Sequence, residues 1–185
     1  MKNYMENSFE RLPQRTKSRN NSGYRRLKDT DLYQQVVGFT CMVCHQWVNA
    51  DPLLSGVNNR NHCPYCFTSK HVDLWQAGDR LNACRSDMRA IGLAWKKSRN
   101  KYGSANGEIM IIHVCEGCNG LSINRVAADD DHQKMENLFR STIWMEKSRK
   151  QFLRDSGIQL MEDEHQEEFE KCIFGVHLHP KKDHE

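Results

Sequence analysis

Three paired-cysteine segments constrain this chain more than any other feature of its sequence. Each has the pattern C-x-x-C, and they span Cys41–Cys44, Cys63–Cys66 and Cys115–Cys118. Two intervening residues let the backbone turn tightly and direct both sulfur atoms at one point, which suits the tetrahedral coordination of Zn²⁺. Three such segments in order predict a small domain whose fold depends on bound metal.

The spacing of the first two pairs predicts one zinc site. Eighteen residues separate Cys44 from Cys63, which gives C-x₂-C-x₁₈-C-x₂-C, a spacing typical of four-cysteine zinc ribbons. We call the predicted cluster site 1, and its ligands are Cys41, Cys44, Cys63 and Cys66.

The third pair lacks a partner pair, and it leaves two interpretations open. Cys84 either joins Cys115 and Cys118 in a second zinc site, site 2, or is a small core residue, as free cysteine often is. A histidine could supply the fourth ligand of site 2, with His71 as the first choice, followed by His113. We therefore expect one zinc ion per chain, and two if site 2 forms.

The composition favours metal binding over disulfide bonds as the use of the eight cysteines. Apolar residues make up 38% of the chain and the mean hydropathy is −0.80, so the core is small and metal cross-links would help to hold it. No apolar run reaches the roughly 18 residues of a membrane span, and the start of the chain leads into no signal-peptide core. We therefore expect a cytoplasmic protein, and in that reducing compartment the paired spacing favours zinc over disulfides or redox C-x-x-C chemistry.

Charge is segregated along the chain, although the formal net charge is only +3. From Arg11 to Lys28 there are seven basic residues and no acidic one, whereas Glu162 to Glu170 holds six acidic residues and no Lys or Arg. The N-terminal segment lacks a sustained apolar period, so it cannot offset the conformational entropy lost on folding. Four segments follow: a disordered basic arm at 1–37, a zinc-binding β domain at 38–128, a helical extension at 129–174 and a tail at 175–185.

Residue patterns within these segments predict an α+β fold: a small zinc-ribbon-like antiparallel β domain with a C-terminal helical extension. Alternation and apolar runs predict strands at 39–40, 47–48, 71–75, 90–95 and 108–114, with a basic loop from 96 joining the last two. Apolar residues at three/four spacing predict one amphipathic helix over 132–155, and a second, acidic helix over 160–173.

The second cysteine pair lies in Arg60-Asn61-His62-Cys63-Pro64, and here the chain resembles the bacterial RNHCP domain family, which is named for these residues. The resemblance covers roughly 36–131, and it includes Phe39-Thr40-Cys41, His71-Val72-Asp73, Gly78-Asp79-Arg80, Cys84, Cys115-Glu116-Gly117-Cys118, Asn124-Arg125-Val126-Ala127 and Asp129-Asp130. It implies a zinc-binding domain and implies no particular activity. Family members commonly carry glycine after the first and third pairs, where His45 and Asn119 stand in this chain.

Basic residues make RNA the partner that the sequence favours. Lys and Arg at this density neutralise phosphates, and a disordered basic arm beside a zinc ribbon is also the plan of several small ribosomal proteins. We therefore expect a structural zinc protein that binds RNA, above all ribosomal RNA or a ribosome-associated particle. The candidate nucleic-acid-binding residues are Arg15, Lys17, Arg19, Arg25, Arg26, Arg60, Lys96, Lys97, Arg99 and Lys101.

Two alternatives stay open. The acidic helix could dock a basic protein partner, which would make the chain an interaction or scaffold module. A zinc enzyme is the third hypothesis, because three cysteines and a water at site 2 would be reactive, with Asp73 or Glu116 as a general base. Against it, the chain has no H-E-x-x-H, deaminase, P-loop or nucleophile-elbow pattern, so we expect no enzymatic activity.

Overall fold

The computed structural model of the chain describes residues 37–97 and 107–175. Its elements, in chain order, are β1 (Gly38–Thr40), β2 (Trp47–Asn49), α1 (Pro52–Ser55), β3 (Ser69–Lys70), β4 (Asp87–Lys96), β5 (Glu108–Cys115), β6 (Leu121–Arg125), α2 (His132–Ile143), α3 (Lys147–Asp155), a 3₁₀ turn (Asp163–His165) and α4 (Gln166–Phe174). The fold is α+β with antiparallel sheets, as the sequence predicts. No helix within the described ranges is long and apolar enough to cross a membrane.

Two antiparallel sheets carry the cysteine pairs. β1 and β2 form the expected hairpin around the first pair, with Phe39 opposite Val48. The larger sheet has the order β3-β4-β5-β6, and β5 leads directly into the third pair. The strands predicted at 90–95 and 108–114 are present as β4 and β5, whereas β6 was not predicted.

The strand predicted at 71–75 was wrong. Pairing with β4 stops at Lys70, and the following residues form a loop. A carboxylate explains the difference, because Asp79 accepts the N–H groups of Leu74, Trp75 and Gln76 at 2.9–3.0 Å. Backbone donors that are bonded to one side chain cannot also pair with a neighbouring strand.

Residues of the larger sheet pack on both of its faces. On β5, Ile109 and Ile111 belong to one apolar cluster, whereas Met110 and Ile112 belong to another, as the period of two along a strand requires. The first cluster includes Met135 and Phe139 of α2 and Phe169 of α4. The second includes Leu153 of α3 and Leu160. The C-terminal helices therefore share their cores with the zinc-binding sheet.

The single helix predicted over 132–155 is two helices, separated at Trp144–Glu146. The two clusters explain the break, because α2 places its apolar residues in one cluster and α3 places Leu153 in the other. One straight helix could not serve both faces of the sheet. Thr142, near the break, donates to the Leu138 carbonyl and accepts the Leu93 N–H, which ties the end of α2 to β4.

Candidate metal centres

The three cysteine pairs adopt one backbone geometry. In each, the N–H four residues after the first cysteine donates to that cysteine's carbonyl at 2.9–3.0 Å. The donating residues are His45, Phe67 and Asn119, and all three have left-handed φ values of 57–59°. This conformation normally favours glycine, which explains the glycines common in the family at two of these positions. His45 and Asn119 therefore adopt the turn geometry although neither is glycine.

Site 1 brings its four predicted ligands together. Their sulfur atoms all lie within 4.8 Å of one another, and the Sγ–Sγ distances are 3.6 Å for Cys41–Cys66 and 3.5 Å for Cys44–Cys63. A tetrahedral ion with Zn–S bonds of about 2.3 Å would separate ligand sulfurs by about 3.8 Å. Four thiolates at nearly this spacing fit Zn²⁺. Cys41 and Cys63 are buried, so the site lies inside the fold.

Site 2 also forms, and His71 is its histidine. The ligand atoms of His71, Cys84, Cys115 and Cys118 lie within 4.8 Å of one another. Cys84 and Cys115 have their sulfurs 3.6 Å apart, and His71 Nδ1 lies 3.2 Å from the Cys118 sulfur. Three sulfurs and one imidazole are a standard ligand set for structural zinc. The structure is therefore consistent with two zinc sites in one chain.

Asn82 holds the backbone of one ligand of site 2, and its role was not predicted from the sequence. Its side-chain oxygen accepts the Cys84 N–H at 2.9 Å, and its amide nitrogen lies 2.8 Å from His71 Nε2. The bond to the Cys84 N–H holds the backbone that carries one ligand sulfur. Its position two residues before a candidate ligand was the available signal.

His113, the alternative ligand, lies outside the cluster, and its Nε2 is 2.8 Å from the Phe67 carbonyl oxygen. Burial lowers the pKa of His113 to about 4.

Hydrogen bonds favour the thiolate form of one cysteine at each site, Cys41 and Cys84, whereas burial raises the pKa of Cys63 and Cys66. At site 2, Ser86 donates through its hydroxyl and its backbone N–H and lowers the pKa of Cys84 to about 6. At site 1, burial alone would raise the pKa of Cys41, but the N–H groups of Cys44 and Val43 outweigh it and lower that pKa to about 7. Thiolate is the form that binds zinc, so these donors prepare Cys41 and Cys84 for metal.

Arg60, which we predicted to bind nucleic acid, does not reach solvent. Its side chain is 0% exposed, and its guanidinium pairs with Asp129 at 2.6 Å and with Asp130 at 3.3 Å. It also donates to the Asn49 and His62 carbonyls. The prediction for Arg60 is corrected, because a buried, paired guanidinium cannot contact phosphate in this fold.

Asp130 completes this buried group. Its carboxylate oxygens lie 2.9 and 3.0 Å from His62 Nε2, and one accepts the Ala127 N–H at 2.8 Å. The segment at 127–131 is thereby fastened to the second cysteine pair, since the Asp131 N–H also donates to the Pro64 carbonyl. The Arg-Asn-His part of the family motif thus meets the Asp129-Asp130 part. Sequence spacing could not reveal a contact across 70 positions.

Other predicted nucleic-acid-binding residues divide into two groups. Lys96 and Lys97 are exposed at the end of β4. The remainder lie outside the described residues: Arg15, Lys17, Arg19, Arg25, Arg26, Arg99 and Lys101. Most of the predicted arm and all but one residue of the predicted tail lie outside as well.

Of the two candidate general bases, Asp73 accepts the Gly78 and Arg80 N–H groups, and Glu116 lies 3.9 Å from Arg89.

Comparison with known proteins identifies the family. A model of the RNHCP domain matches residues 36–136, which include both ligand clusters and the Arg60, Asp129 and Asp130 group. Neither curated proteins nor solved structures give a match. Because the match covers more than half of the chain, this protein belongs to the RNHCP domain family.

Proposed function

We propose that this protein is a zinc-stabilised RNA-binding protein of the cytoplasm, and that its target is ribosomal RNA or a ribosome-associated particle. The observation that carries the proposal is the run of seven basic residues without an acidic one between Arg11 and Lys28, next to a compact metal-binding domain. Such a run releases counterions from phosphates and gives affinity that depends strongly on salt. Lys96 and Lys97 are exposed at the end of β4 and provide basic residues on the domain itself.

The metal centres support a structural role. Each cluster supplies four protein ligands, whereas catalytic zinc keeps a position open for water. Zinc bound there would hold the cysteine turns together. This chain's own residues would do the rest: hydrogen bonds favour the thiolate form of Cys84, the Asn82 oxygen holds the Cys84 N–H, and Asp130 holds the chain after β6 against site 1.

The acidic helix supports the protein-docking alternative less well. Glu162 is paired with Lys150 at 3.0 Å and with Arg154 at 2.5 Å, and Glu170 is buried. Two of the six carboxylates therefore face the protein's own residues. A fair test of this alternative replaces only exposed members, Glu164 and Glu167, by Gln. Loss of a co-purifying basic protein from that variant would favour docking over RNA binding.

A charge-neutralised arm tests the RNA proposal in the full-length chain. We replace Arg15, Lys17, Arg19, Arg25 and Arg26 by Gln and measure binding of labelled single-stranded RNA by fluorescence anisotropy between about 50 and 200 mM salt. The slope of log K against log salt should become shallower by up to about 3.5, at about 0.7 for each phosphate that the variant no longer neutralises. Binding by the unaltered protein that does not respond to salt would refute the proposal.

The ribosomal target needs a test in cells. Tagged protein is followed through a sucrose gradient of lysate from its own cells, at low and at raised salt. We expect comigration with ribosomal particles at low salt and its loss at high salt and in the arm variant. Migration at the position of free protein at low salt would rule out a ribosomal target, while leaving RNA binding to the anisotropy assay.

A further inference from the structure

A groove runs along β6, at the margin of the larger sheet. Two cavities of about 190 and 240 Å³ adjoin there, and both are lined by Asn61, Ala77 and Asn124. β6 is the outermost strand of the larger sheet, and among the described residues no backbone hydrogen bond pairs its outer edge. The two cavities together form a groove between β6 and the loops at 57–61 and 71–80, and we call it the β6 groove.

One wall of the groove is a loop that is fixed at both of its ends. His71 and Cys84, which bracket it, are ligands of site 2. Within the loop, Asp79 accepts four N–H groups, those of Leu74, Trp75, Gln76 and Leu81. These donors hold the pKa of Asp79 below its usual range. The loop is thus a preformed turn and needs little ordering before it binds a ligand.

Trp75 is the most exposed aromatic side chain in the groove. It lines the cavity at the loop end and is 84% exposed, although a tryptophan in a monomeric fold usually buries most of its ring. A role in the apolar core therefore does not explain why a tryptophan stands at this position. A flat aromatic face beside a concave surface is the arrangement on which unpaired nucleic-acid bases stack.

Besides apolar side chains, the groove is lined by polar residues with the chemistry of a nucleic-acid site. Five amide side chains line the groove: Asn58, Asn59, Asn61, Gln76 and Asn124. Amides can both donate to and accept from base edges. Four cations line it as well, the buried Arg60 and the exposed or half-buried Lys70, Lys96 and Arg125. Lys70 pairs with Asp87 at 2.7 Å and Arg125 with Glu108 at 2.9 Å, but their side chains stay 41% and 53% exposed, so a phosphate can still reach them. The carboxylate in both cavities, Asp73, accepts the Gly78 and Arg80 N–H groups.

We propose that the β6 groove binds an unpaired segment of RNA, with a base stacked on Trp75, base edges at the amide side chains and phosphates at Lys96 and Arg125. This inference rests on the proposed RNA-binding function and places its selectivity on the folded domain, whereas the basic arm supplies affinity that does not depend on sequence. A duplex does not fit the groove in this way, because its bases are stacked inside the helix. A peptide pairing with the edge of β6 is the competing occupant.

Two tryptophans provide a matched pair of variants. Trp75 and Trp144 are equally exposed, at 84%, but Trp144 lies at the end of α2, outside the groove. In the full-length, zinc-loaded protein we replace each by Ala and measure binding of a labelled single-stranded RNA of about 12 nucleotides and of a duplex of equal length. A second pair introduces a charge of the same kind: Asn58→Asp in the groove and Asn137→Asp on α2.

Trp75→Ala should weaken single-strand binding by about 5- to 150-fold, the cost of removing one stacking interaction, with an unchanged salt slope. Trp144→Ala should bind as the unaltered protein does, and of the second pair only Asn58→Asp should weaken binding. Duplex binding should not respond to Trp75→Ala. Zinc content of two per chain in every variant shows that the fold is retained.

Three results would overturn the inference. If the unaltered protein binds single strands but Trp75→Ala matches Trp144→Ala, the groove is not the site, and the arm-based function still stands. Equal losses for single strand and duplex would show that Trp75 does not contact unpaired bases. A groove variant that loses a co-purifying protein yet keeps RNA affinity would assign the groove to a peptide. If the unaltered protein binds no RNA at all, the proposed function fails first.

Discussion

Replacing Asp130 by Asn should destabilise the domain far more than the same change at its neighbour Asp129. The Asp130 side chain is 1% exposed, and its carboxylate serves Arg60, His62 and the Ala127 N–H together. An amide keeps the shape but loses the charge and one acceptor. Removing one member of a buried ion pair costs about 3–5 kcal/mol of unfolding free energy. Because Arg60 keeps Asp129, we expect the lower end, about 3 kcal/mol.

Asp129 provides the matched control. It pairs with the same guanidinium at 2.6 Å, but its side chain is 43% exposed and Arg60 would keep Asp130. Exposed pairs contribute about 0–1 kcal/mol, so Asp129→Asn should cost no more than that.

Urea unfolding of the zinc-loaded variants, followed by circular dichroism, measures both changes. With a slope near 2 kcal/mol per molar urea, the unfolding midpoint should fall by about 1.5 M for Asp130→Asn and by about 0.5 M or less for Asp129→Asn. Equal shifts for the two variants would refute the reasoning, because they would show that burial of Asp130 does not determine its contribution.

Four further predictions concern the metal centres, the end of α2 and the loop that contains Asp79. Metal analysis should find two zinc ions per chain, and one after Cys118→Ser. The control Cys172→Ser changes a cysteine outside both clusters and should keep two zinc ions. Two zinc ions in Cys118→Ser would contradict the assignment of site 2. Gly120→Ala should empty site 2 alone, because a Cβ there would lie 2.7 Å from the His71 ring, and cobalt substitution should then report one tetrahedral site. Thr142→Val should lower the free energy of unfolding, measured in urea, by about 1–3 kcal/mol, because it leaves the buried Leu93 N–H without its acceptor. The exposed neighbour provides the control, since Ser141→Ala should lower it by about 0.5 kcal/mol or less. Asp79→Asn should speed amide exchange at Leu74, Trp75 and Gln76 above about pH 4, where the carboxylate is ionised in both the folded and the unfolded chain. The difference between the two proteins should narrow as the pH falls below about 4, because the folded form lowers the pKa of Asp79 and protonation then removes the protection. Equal exchange rates in the two proteins at neutral pH would count against this role.

Local chemistry made the metal ligands predictable from sequence. A C-x-x-C segment forms its turn from its own residues, so all three turns, both ligand sets and the choice of His71 could be predicted. The same holds for β4 and β5, whose apolar runs are long. β6 was missed because its residues are only partly buried, and their apolar pattern is correspondingly weak.

Contacts between distant segments decided what the sequence could not. An exposed arginine and a buried one have the same local pattern, and Arg60 is buried because two aspartates 69 and 70 positions away close over it. The break between α2 and α3 likewise depends on which face of the sheet each helix covers. Neither arrangement leaves a periodic signal in the residues themselves.

The sequence separations of these contacts imply an order of assembly on a growing chain. Cys41 and Cys66 of site 1 are 25 positions apart, His71 and Cys118 of site 2 are 47 positions apart, and Arg60 and Asp130 are 70 positions apart. Closing a longer loop costs more entropy, and the later partner must first leave the ribosome. Site 1 can therefore bind zinc during synthesis, site 2 forms next, and Arg60 is enclosed last. A chain truncated before Asp129 would contain both ligand sets but would leave the positive charge of Arg60 without its carboxylate partners.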